Sequence, residues 1–573
     1  MSIVQGGPLG EEPGLGALTL PGYLREVTTR FAPREALVMH EPDGSVERWS
    51  YADFWARALE VARALVACGA GKDSRVGVMM TNRPEWVSSV FGASLAGGVA
   101  VALSTFSTPA ELEHLLQASG VSILLFEGRV LKRDFAAVLT ELEPRISGAR
   151  PDDLASRKFP YLRRLAVVGE GAGGAIETWS DFLARSGPVE PELVLARAET
   201  VKPADAGVLL FSSGSTGKPK GILNAHRAVA IQCWRYRRIF ALGDDVRCWT
   251  ANGFFWSGNF AQALGATLSS GGSLVLQSTF EPIEALRLME AERVTLPIAW
   301  PHQWAQLESA PNWPTADLKS LRYVDARTPA GRHPTVSTTW VEPTRLYGNT
   351  ETFTISTTFP PGTSPEIMGE SSGEPLPGNT IKIVDPLTGA VVPRGERGEI
   401  AVKGPTLMLG YIGTPHDETL DAEGFFRTGD GGYIDERGFL FWEGRLTDII
   451  KTGGANVSPV EVDRVLADYP GVKVSQTVGV PHETLGEMVV TCVVPQEGAV
   501  LEEHAIREFL KVRLASYKTP RRVLFLHEDD LSLTGSAKVK AKELREFAAK
   551  RLASESADAQ PVAGQRGEYQ RGS

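Results

Sequence analysis

Residues 209–221, LLFSSGSTGKPKG, combine the residue types that bind a polyphosphate. The apolar start, Leu209 to Phe211, is typical of the end of a buried strand. The residues that follow can bind phosphate through backbone N–H groups, hydroxyls and ammonium groups: Ser212, Ser213, Gly214, Ser215, Thr216, Gly217, Lys218 and Lys220. Glycine reaches positive φ and lets several N–H groups converge on an anion, while the hydroxyls add donors and the lysines add charge. The segment therefore predicts a loop that wraps the phosphates of a nucleotide.

This loop differs from the common P-loop. The pattern GxxxxGK(S/T) needs a second glycine five residues after the first and a Ser or Thr after the lysine. Here Pro219 occupies both places. A flexible Ser/Gly turn is the alternative, but the apolar strand and the density of phosphate-binding groups favour phosphate binding. We expect Ala225–Phe240 to be helical, with the dipole at its N-terminus assisting the loop.

The stretch resembles the phosphate loop of the adenylate-forming superfamily, which usually reads close to YTSGTTGxPKG. This superfamily comprises acyl-CoA synthetases, adenylation domains of peptide synthetases, and luciferases. Further segments resemble it in order between about residues 18 and 550: NRPEWVSSVFGASLAGGVAV, LYGNTE, GEIAVKGPTLMLGY, FFRTGD and GRLTDIIKTGGANVSPVEVD. The resemblance is closest to fatty-acyl and aryl-acid CoA ligases. It implies ATP, Mg²⁺ and coenzyme A as cofactors and a small-molecule carboxylic acid as substrate.

The element LYGNTE, residues 346–351, is where the resemblance implies nucleotide and metal contacts. The implied roles are adenine stacking by Tyr347, close backbone approach at Gly348 and Asn349, and α-phosphate binding by Thr350. Glu351 offers a hard oxygen ligand for Mg²⁺, to which Ser215 of the loop is added. Thr350 and Glu351 are therefore catalytic candidates.

Two further positions complete the implied nucleotide site. Asp430 ends FFRTGD, where a carboxylate after a tight turn suits bonding to both ribose hydroxyls. The alternative for Asp430 is a simple Asx-turn. Arg445 matches an arginine that contacts the nucleotide in the superfamily.

The C-terminal segments resemble the superfamily's small mobile lid. The resemblance implies a hinge at Thr447 and a glycine turn, Gly453–Gly454, that lies along the pantetheine arm of CoA. The last motif, LSLTGSAKVKAKELR, places Lys538 on the catalytic lysine. It departs from the superfamily at Ser532, which replaces proline, and at Ala537, which replaces glycine. The alternative is that Lys538 belongs to a solvated basic face with Lys540 and Lys542.

Two aromatic clusters are candidates for the acyl pocket. Phe255 and Trp256 lie in TANGFFWSGNFAQALG, and Trp300, His302 and Trp304 lie in the segment 295–307. Packing of a helix on a sheet is the competing interpretation for the second cluster. Large aromatic side chains favour apolar acids, because each buried CH₂ contributes about 0.8 kcal/mol. We predict a hydrophobic monocarboxylate, with a medium or long fatty acid ahead of an aryl acid because FFWSGN resembles the FFWxGG of fatty-acyl ligases.

Arg327 stands where the superfamily often has a small Ser-Gly-Gly-Ala-Pro run. It is the cation near the pocket that could bind a second carboxylate of the substrate. The favoured interpretation is a surface residue that points away from the pocket.

The segment Gly169–Gly174 fits GxGxxG after a predicted strand, Leu165–Val168. A dinucleotide fingerprint opens a helix directly, whereas here the next helix is expected only near Ser180. We interpret the segment as a loop, so a nicotinamide oxidoreductase has little support.

Strands alternate with helices from residue 51 onward, which predicts βαβ units and a mostly parallel sheet. The predicted fold is α/β, a large N-terminal domain of layered sheets and helices with a small mobile α+β lid. The expected bounds are a disordered N-terminus at 1–17, the large domain at 18–444, the lid at 445–552 and a disordered tail at 553–573.

The composition sets broad limits on partners and location. The 573 residues carry a net charge of −10, which argues against a general nucleic-acid or anionic-membrane surface. We find no signal peptide and no apolar run long enough to span a bilayer. Four scattered cysteines predict free thiols in a reducing cytoplasm. A homodimer is compatible with the chain.

These observations predict an ATP-dependent acyl-CoA ligase that forms acyl-AMP and then the CoA thioester. The competing functions are a freestanding adenylating enzyme that loads a carrier protein, a luciferase-like oxygenase, and a non-catalytic ATP-binding module.

Overall fold

The structure, a computed structural model, describes residues 1–212, 219–452, 455–514, 516–527 and 541–558. Two sheets, of eight and five strands, and their helices carry most of the chain up to residue 345, and three sheets of five, three and five strands follow.

The central sheet has eight strands. Their spatial order is Ile176–Thr178, Arg164–Val168, Ile123–Glu127, Arg75–Met79, Val99–Ala102, Ala206–Ser212, Lys220–Ala225 and Gly410–Tyr411. The first six strands run parallel and the last two join antiparallel. The predicted mostly parallel sheet is confirmed. Because parallel strands end at one edge, the residues that follow them meet there.

The second sheet has five strands, in the order Leu296–Ile298, Arg247–Thr250, Ser273–Leu276, Glu35–His40 and Val46–Ser50. Its neighbouring residues alternate between two cores. Leu37, Cys248 and Leu274 face the largest core, shared with the central sheet, whereas Val38 and Trp249 face a separate core on the other side. Both faces of this sheet are therefore covered.

Helices pack on these sheets. Their bounds up to residue 345 are Leu20–Arg30, Tyr51–Ala67, Pro84–Leu95, Pro109–Ser119, Phe135–Leu142, Arg145–Gly148, Trp179–Ala184, Pro191–Thr200, His226–Ile239, Ser257–Asn259, Ala266–Ser270, Pro282–Ala291 and Pro301–Glu308. A π-helical turn, Phe260–Gly265, joins two of them, and π-turns often occur at functional sites. The GxGxxG segment is a loop, as predicted, because the next helix begins only at Trp179.

The remaining part of the large domain is mainly antiparallel. A third sheet contains Ile3–Gln5, Thr380–Val384, Gly398–Lys403, Phe426–Ile434 and Leu440–Arg445, and a fourth contains Leu346–Asn349, Thr354–Thr358 and Glu374–Pro375. A hairpin pairs Arg129–Val130 with Arg133–Asp134. The short helices here are Pro365–Met368 and His416–Thr419, and the 3₁₀ turns of the chain are Leu9–Glu11, Trp313–Thr315, Ala330–Arg332, Thr350–Thr352 and Ser516–Lys518.

The C-terminal unit has the predicted α+β composition. Its strands are Ile450–Thr452, Ala455–Val457, Val472–His482, Gly486–Pro495 and Arg522–Phe525, and its helices are Pro459–Leu466, Glu503–Lys511 and Ala541–Asp558. Separate apolar cores cover the two faces of its sheet. No helix in the described ranges combines the length and apolarity needed to cross a bilayer.

Both predicted disordered termini need correction. Residues 1–17 are ordered, because Ile3–Gln5 pairs antiparallel with Thr380–Val384 and Glu12 forms a buried ion pair with Arg235. The last helix continues to Asp558, so residues 553–558 are helical. Residues 559–573 lie outside the described residues.

His226, the first residue of its helix, is 1% exposed, and its Nδ1 accepts a hydrogen bond from the Leu20 N–H at 3.3 Å. Burial lowers the pKa of His226 to about 4, although the nearby Asp205 carboxylate opposes this shift. In the unfolded chain the pKa is about 6.5. The unfolded state therefore binds a proton in a window where the folded state does not.

We expect this difference to make folding weaker at acid pH. Acidification from pH 7 to pH 4.5 should lower the free energy of unfolding by about 2 kcal/mol through His226. Stability falls in this window because the unfolded state binds more protons than the folded state. Urea denaturation of the wild type and of His226→Asn, which keeps an acceptor near Leu20, measures this. The variant should lose about 2 kcal/mol less over the same window. Equal pH slopes would contradict the assignment.

Candidate active site

The predicted phosphate loop connects two neighbouring strands of the central sheet. Strands Ala206–Ser212 and Lys220–Ala225 pair antiparallel, with Ser212 opposite Lys220. Ser213, Gly214, Ser215, Thr216, Gly217 and Lys218 lie outside the described residues. The loop begins at the carboxyl edge of the parallel strands, where ligands of such sheets bind. His114 Nε2 donates to the carbonyl of Pro219 at 3.0 Å and so holds the end of the loop.

The predicted help from a helix dipole is wrong. The residues after the loop form strand Lys220–Ala225, and the helix starts only at His226. Six strand residues span about 20 Å. The His226 N–H donates to the carbonyl of Asp205, which precedes strand Ala206–Ser212. The helix N-terminus therefore lies at the opposite edge of the sheet from the loop.

The YGNTE element forms a strand that ends in a tight 3₁₀ turn, Thr350–Thr352. A Cβ at Gly348 would lie 1.6 Å from the carbonyl oxygen of Thr354, so the neighbouring strand itself requires glycine here. The turn is followed by Phe353 and Thr354, whose φ angles of 43° and 90° lie in the left-handed region. Strained non-glycine backbone of this kind clusters at functional sites.

Asn349 holds this turn and also presents a donor. Its Oδ1 accepts from the Thr352 N–H at 3.0 Å. Its Nδ2 is buried and has no hydrogen-bond partner within the described part of the chain. A buried amide donor of this kind suits an acceptor on a ligand.

Asp430 lies between a tyrosine and an arginine. Tyr347 Oη donates to Asp430 Oδ2 at 2.7 Å, and Arg445 Nε lies 3.1 Å from Oδ1. Burial raises the pKa of Asp430, and Arg445 opposes this. These side-chain partners differ from those of an Asx-turn, in which the carboxylate bonds to nearby backbone. Tyr347 is only 4% exposed, so stacking on adenine, which stays a prediction, requires its ring to become accessible.

Glu351 contacts Tyr411, which the sequence did not single out as a site residue. Tyr411 Oη donates to Glu351 Oε1 at 2.7 Å. The Lys220 Nζ lies 5.1 Å from the centroid of the Tyr411 ring, in cation–π geometry. Burial, and secondarily the Glu351 carboxylate, raises the pKa of Tyr411, so this hydroxyl keeps its proton. The sequence feature that could have identified Tyr411 as a site residue is its position at the end of the GEIAVKGPTLMLGY segment, which resembles the superfamily.

The first aromatic cluster lies near the carboxyl edge of the central sheet and includes one more residue. The Phe255 and Trp256 rings are 5.0 Å apart, and Phe106 meets Phe255 edge to face at 5.9 Å. Phe106, which sequence reasoning missed, is 57% exposed and follows strand Val99–Ala102. Asn82 fixes the segment by donating to the Asn252 carbonyl and accepting from the Phe254 N–H.

One member of the second aromatic cluster, Trp304, lies apart from the first cluster. Trp304 is 8% exposed and packs with Trp249 and Met289 in the core on the far side of the second sheet. Trp300 is 48% exposed and His302 is half-buried. Packing of helix on sheet therefore explains Trp304 better than a pocket does.

Arg327 is engaged within its own loop. Its Nε and Nη2 donate to the two oxygens of Asp325 at 2.8 and 2.7 Å. This ion pair lowers the pKa of Asp325 to about 2. The Arg327 side chain is 70% exposed, which agrees with the surface interpretation.

The predicted hinge and lid residues are only partly described. Thr447 is exposed in the short connection 446–449 between the third sheet and the C-terminal sheet. Gly453 and Gly454, between two paired strands, lie outside the described residues, as do Lys538, Ser532 and Ala537. The C-terminal unit contacts the large domain where Ser458 Oγ donates to the Glu443 carbonyl.

Comparison with known proteins agrees with this geometry. The sequence model of the AMP-binding enzyme family matches residues 24–412, and that of the AMP-binding enzyme C-terminal domain matches residues 461–538. The chain is 30% identical to a 3-(7a-methyl-1,5-dioxo-octahydro-1H-inden-4-yl)propanoyl:CoA ligase of Mycobacterium tuberculosis, covering 92% of this chain and 99% of the relative. A feruloyl-CoA synthase of Amycolatopsis is also 30% identical, covering 87% and 93%. The solved structure of ATP-bound MatB from Rhodopseudomonas palustris superposes with a TM-score of 0.70 at 26% identity, covering 93% and 99%.

The chain therefore belongs to the AMP-binding enzyme family, the adenylate-forming superfamily that its motifs resemble. It is an AMP-forming acid–thiol ligase, a class that uses ATP, Mg²⁺ and CoA.

The residues present fit the nucleotide and the metal ion. Asp430 offers a carboxylate for ribose hydroxyls and Asn349 a buried donor without a partner in the described ranges. Mg²⁺ usually takes one or two protein carboxylates and completes its shell with phosphates and water, so the single carboxylate of Glu351 suffices.

Proposed function

We propose that this enzyme activates a hydrophobic monocarboxylic acid and transfers the acyl group to free CoA. The supporting observation is the aromatic set of Phe106, Phe255 and Trp256 at the carboxyl edge of the central sheet. A dicarboxylate needs a second cation, and Arg327 already pairs with Asp325. Both curated relatives named above are ligases of ring-bearing acids by name, so we place a ring-bearing acid ahead of the straight-chain acid that the sequence favoured.

The first half-reaction makes the acid reactive. A carboxylate oxygen attacks the α-phosphorus of ATP, the bond to pyrophosphate breaks, and acyl-AMP forms. We assign α-phosphate binding to Thr350, ribose binding to Asp430 and metal binding to Glu351. When bound, Mg²⁺ neutralises phosphate charge. Positioning and charge stabilisation carry such a reaction, because little covalent work falls to the protein.

The second half-reaction transfers the acyl group. The CoA thiolate attacks the carbonyl carbon and AMP leaves with the electrons of the broken C–O bond. We propose that rotation at Thr447 exchanges Lys538 for Gly453 and Gly454 at the site, since the 446–449 connection joins the two sheets.

We also propose a cytoplasmic location. Cys68, Cys233, Cys248 and Cys492 are free thiols, which supports a reducing, cytoplasmic setting.

The test is pyrophosphate release with acetate, octanoate, laurate, benzoate, cinnamate and succinate, with and without CoA. We expect kcat/KM for the best hydrophobic acid to exceed that for acetate and succinate by about 100-fold or more, since each buried CH₂ contributes about 0.8 kcal/mol. CoA should raise turnover. A preference for acetate or succinate would contradict the substrate class.

The other outcomes separate the competing functions. Pyrophosphate release that CoA does not accelerate would indicate a carrier-protein loader, and no release would indicate a binding module. Phe106→Ala should reduce kcat/KM for hydrophobic acids more than for acetate. Tyr161→Ala is the matched control, because Tyr161 is similarly exposed, at 65%, but is not part of the aromatic set.

A further inference from the structure

Two other segments of the chain meet at Tyr411. Its hydroxyl bonds to Glu351 of the YGNTE element, and its ring lies under the ammonium group of Lys220, at the end of the phosphate loop. Its backbone pairs with Ile222 of strand Lys220–Ala225. Tyr411 is 60 residues from Glu351 along the chain. It therefore links the predicted metal ligand, Glu351, to the end of the predicted phosphate loop.

The same short segment holds Glu351 at both ends. The Met408 N–H donates to the Glu351 backbone carbonyl at 2.7 Å, while Tyr411 binds the carboxylate at 2.7 Å. The tyrosine bond engages Oε1, one of two carboxylate oxygens. A glutamate carboxylate otherwise rotates among several rotamers, and ordering it costs conformational entropy when a ligand binds.

We propose that Tyr411 is a positioning residue, whose hydroxyl orients the Glu351 carboxylate to bind the Mg²⁺ of Mg²⁺-ATP. This inference rests on the proposed metal role of Glu351. Hydrogen-bond partners of metal-binding carboxylates typically change metal affinity by 10- to 100-fold when removed. The Tyr411 ring also holds Lys220, so the orientation of Glu351 is coupled to the end of the phosphate loop.

The test compares Mg²⁺-dependent ATP binding in Tyr411→Phe and wild type by calorimetry, in the full-length protein. Phenylalanine keeps the ring under Lys220 and removes the hydroxyl alone. We expect the Mg²⁺ concentration for half-maximal enhancement of ATP binding to rise about tenfold. AMP binding without Mg²⁺ should be unchanged. Tyr323→Phe is the matched control, because Tyr323 Oη donates to Asp245 at the same 2.7 Å outside this cluster.

Two further variants separate the inference from the proposed function. If Glu351→Gln leaves the Mg²⁺ dependence at the wild-type value, Glu351 is not a metal ligand and both fail. If Glu351→Gln weakens it and Tyr411→Phe does not, the positioning role alone is overturned. In the double variant, Tyr411→Phe should cause no further rise in the half-maximal Mg²⁺ concentration beyond that of Glu351→Gln alone. Additive effects would show that Tyr411 acts independently of Glu351 and would also overturn the proposal.

Discussion

Replacing Lys538 with alanine is expected to reduce the rate of acyl-AMP formation by about 10² to 10³-fold, the usual effect of removing one well-placed group that stabilises developing charge. We propose from its motif that Lys538 is the catalytic lysine of the adenylate-forming superfamily, and the C-terminal family match ends at this residue. A lysine ammonium stabilises the negative charge that develops as pyrophosphate leaves the α-phosphorus. Thioester formation from supplied acyl-AMP should be largely retained, since no phosphate bond breaks in that step.

Neighbouring lysines provide the controls. Lys540→Ala and Lys542→Ala remove the same charge within four residues and should change neither half-reaction by more than a few-fold. Single-turnover pyrophosphate release reports the first step, and CoA-dependent AMP release from acyl-AMP reports the second. Equal losses in both steps for Lys538→Ala would contradict the separation of roles. Equal losses for all three lysines would favour the basic-face interpretation.

Local signals made much of the fold predictable. Helix Pro109–Ser119 shows such signals at both ends, because Thr108 caps it in a capping box with Glu111 and Gly120 ends it at φ 63°. The strands of the parallel sheet were visible as short apolar runs between helical patterns. The YGNTE and FFRTGD elements were singled out by their resemblance to the superfamily, and their residues Tyr347 and Asp430 meet at 2.7 Å.

Other features depend on contacts between distant segments, which a local pattern does not contain. Strand Lys220–Ala225 was missed, and with it the fact that the next helix starts at the far edge of the sheet. The contact between Tyr411 and Glu351 joins the edge strand Gly410–Tyr411 of the central sheet to the 3₁₀ turn Thr350–Thr352. Trp304 looked like a pocket residue, but the sheet separates it from Phe255.

The N-terminal segment shows this limit most clearly. Its Gly-, Pro- and Glu-rich sequence is typical of disorder. Yet Glu12 binds Arg235 with both carboxylate oxygens, at 2.8 to 3.1 Å, and the two side chains are 4% and 0% exposed. Arg235 Nη2 also donates to the Pro377 carbonyl, so three distant segments meet at this arginine. Residues 1–17 are therefore held by partners more than 200 residues away, the strand Thr380–Val384 and Arg235.

We expect Glu12→Gln to lower the free energy of unfolding by about 3 to 5 kcal/mol, because it leaves the guanidinium of Arg235 buried without its counter-charge. The Glu12→Met, Arg235→Met double variant should recover most of this loss, since an apolar pair of similar volume is often as stable as a buried ion pair. Glu199→Gln is the matched control. It breaks the Arg25–Glu199 pair, whose side chains are 44% and 65% exposed, and should cost at most about 1 kcal/mol.

Guanidinium denaturation measures all three, and limited proteolysis at Gly14 and Gly16 reports release of the segment. A loss under about 1 kcal/mol for Glu12→Gln, with unchanged proteolysis, would show that residues 1–17 are not held by Arg235.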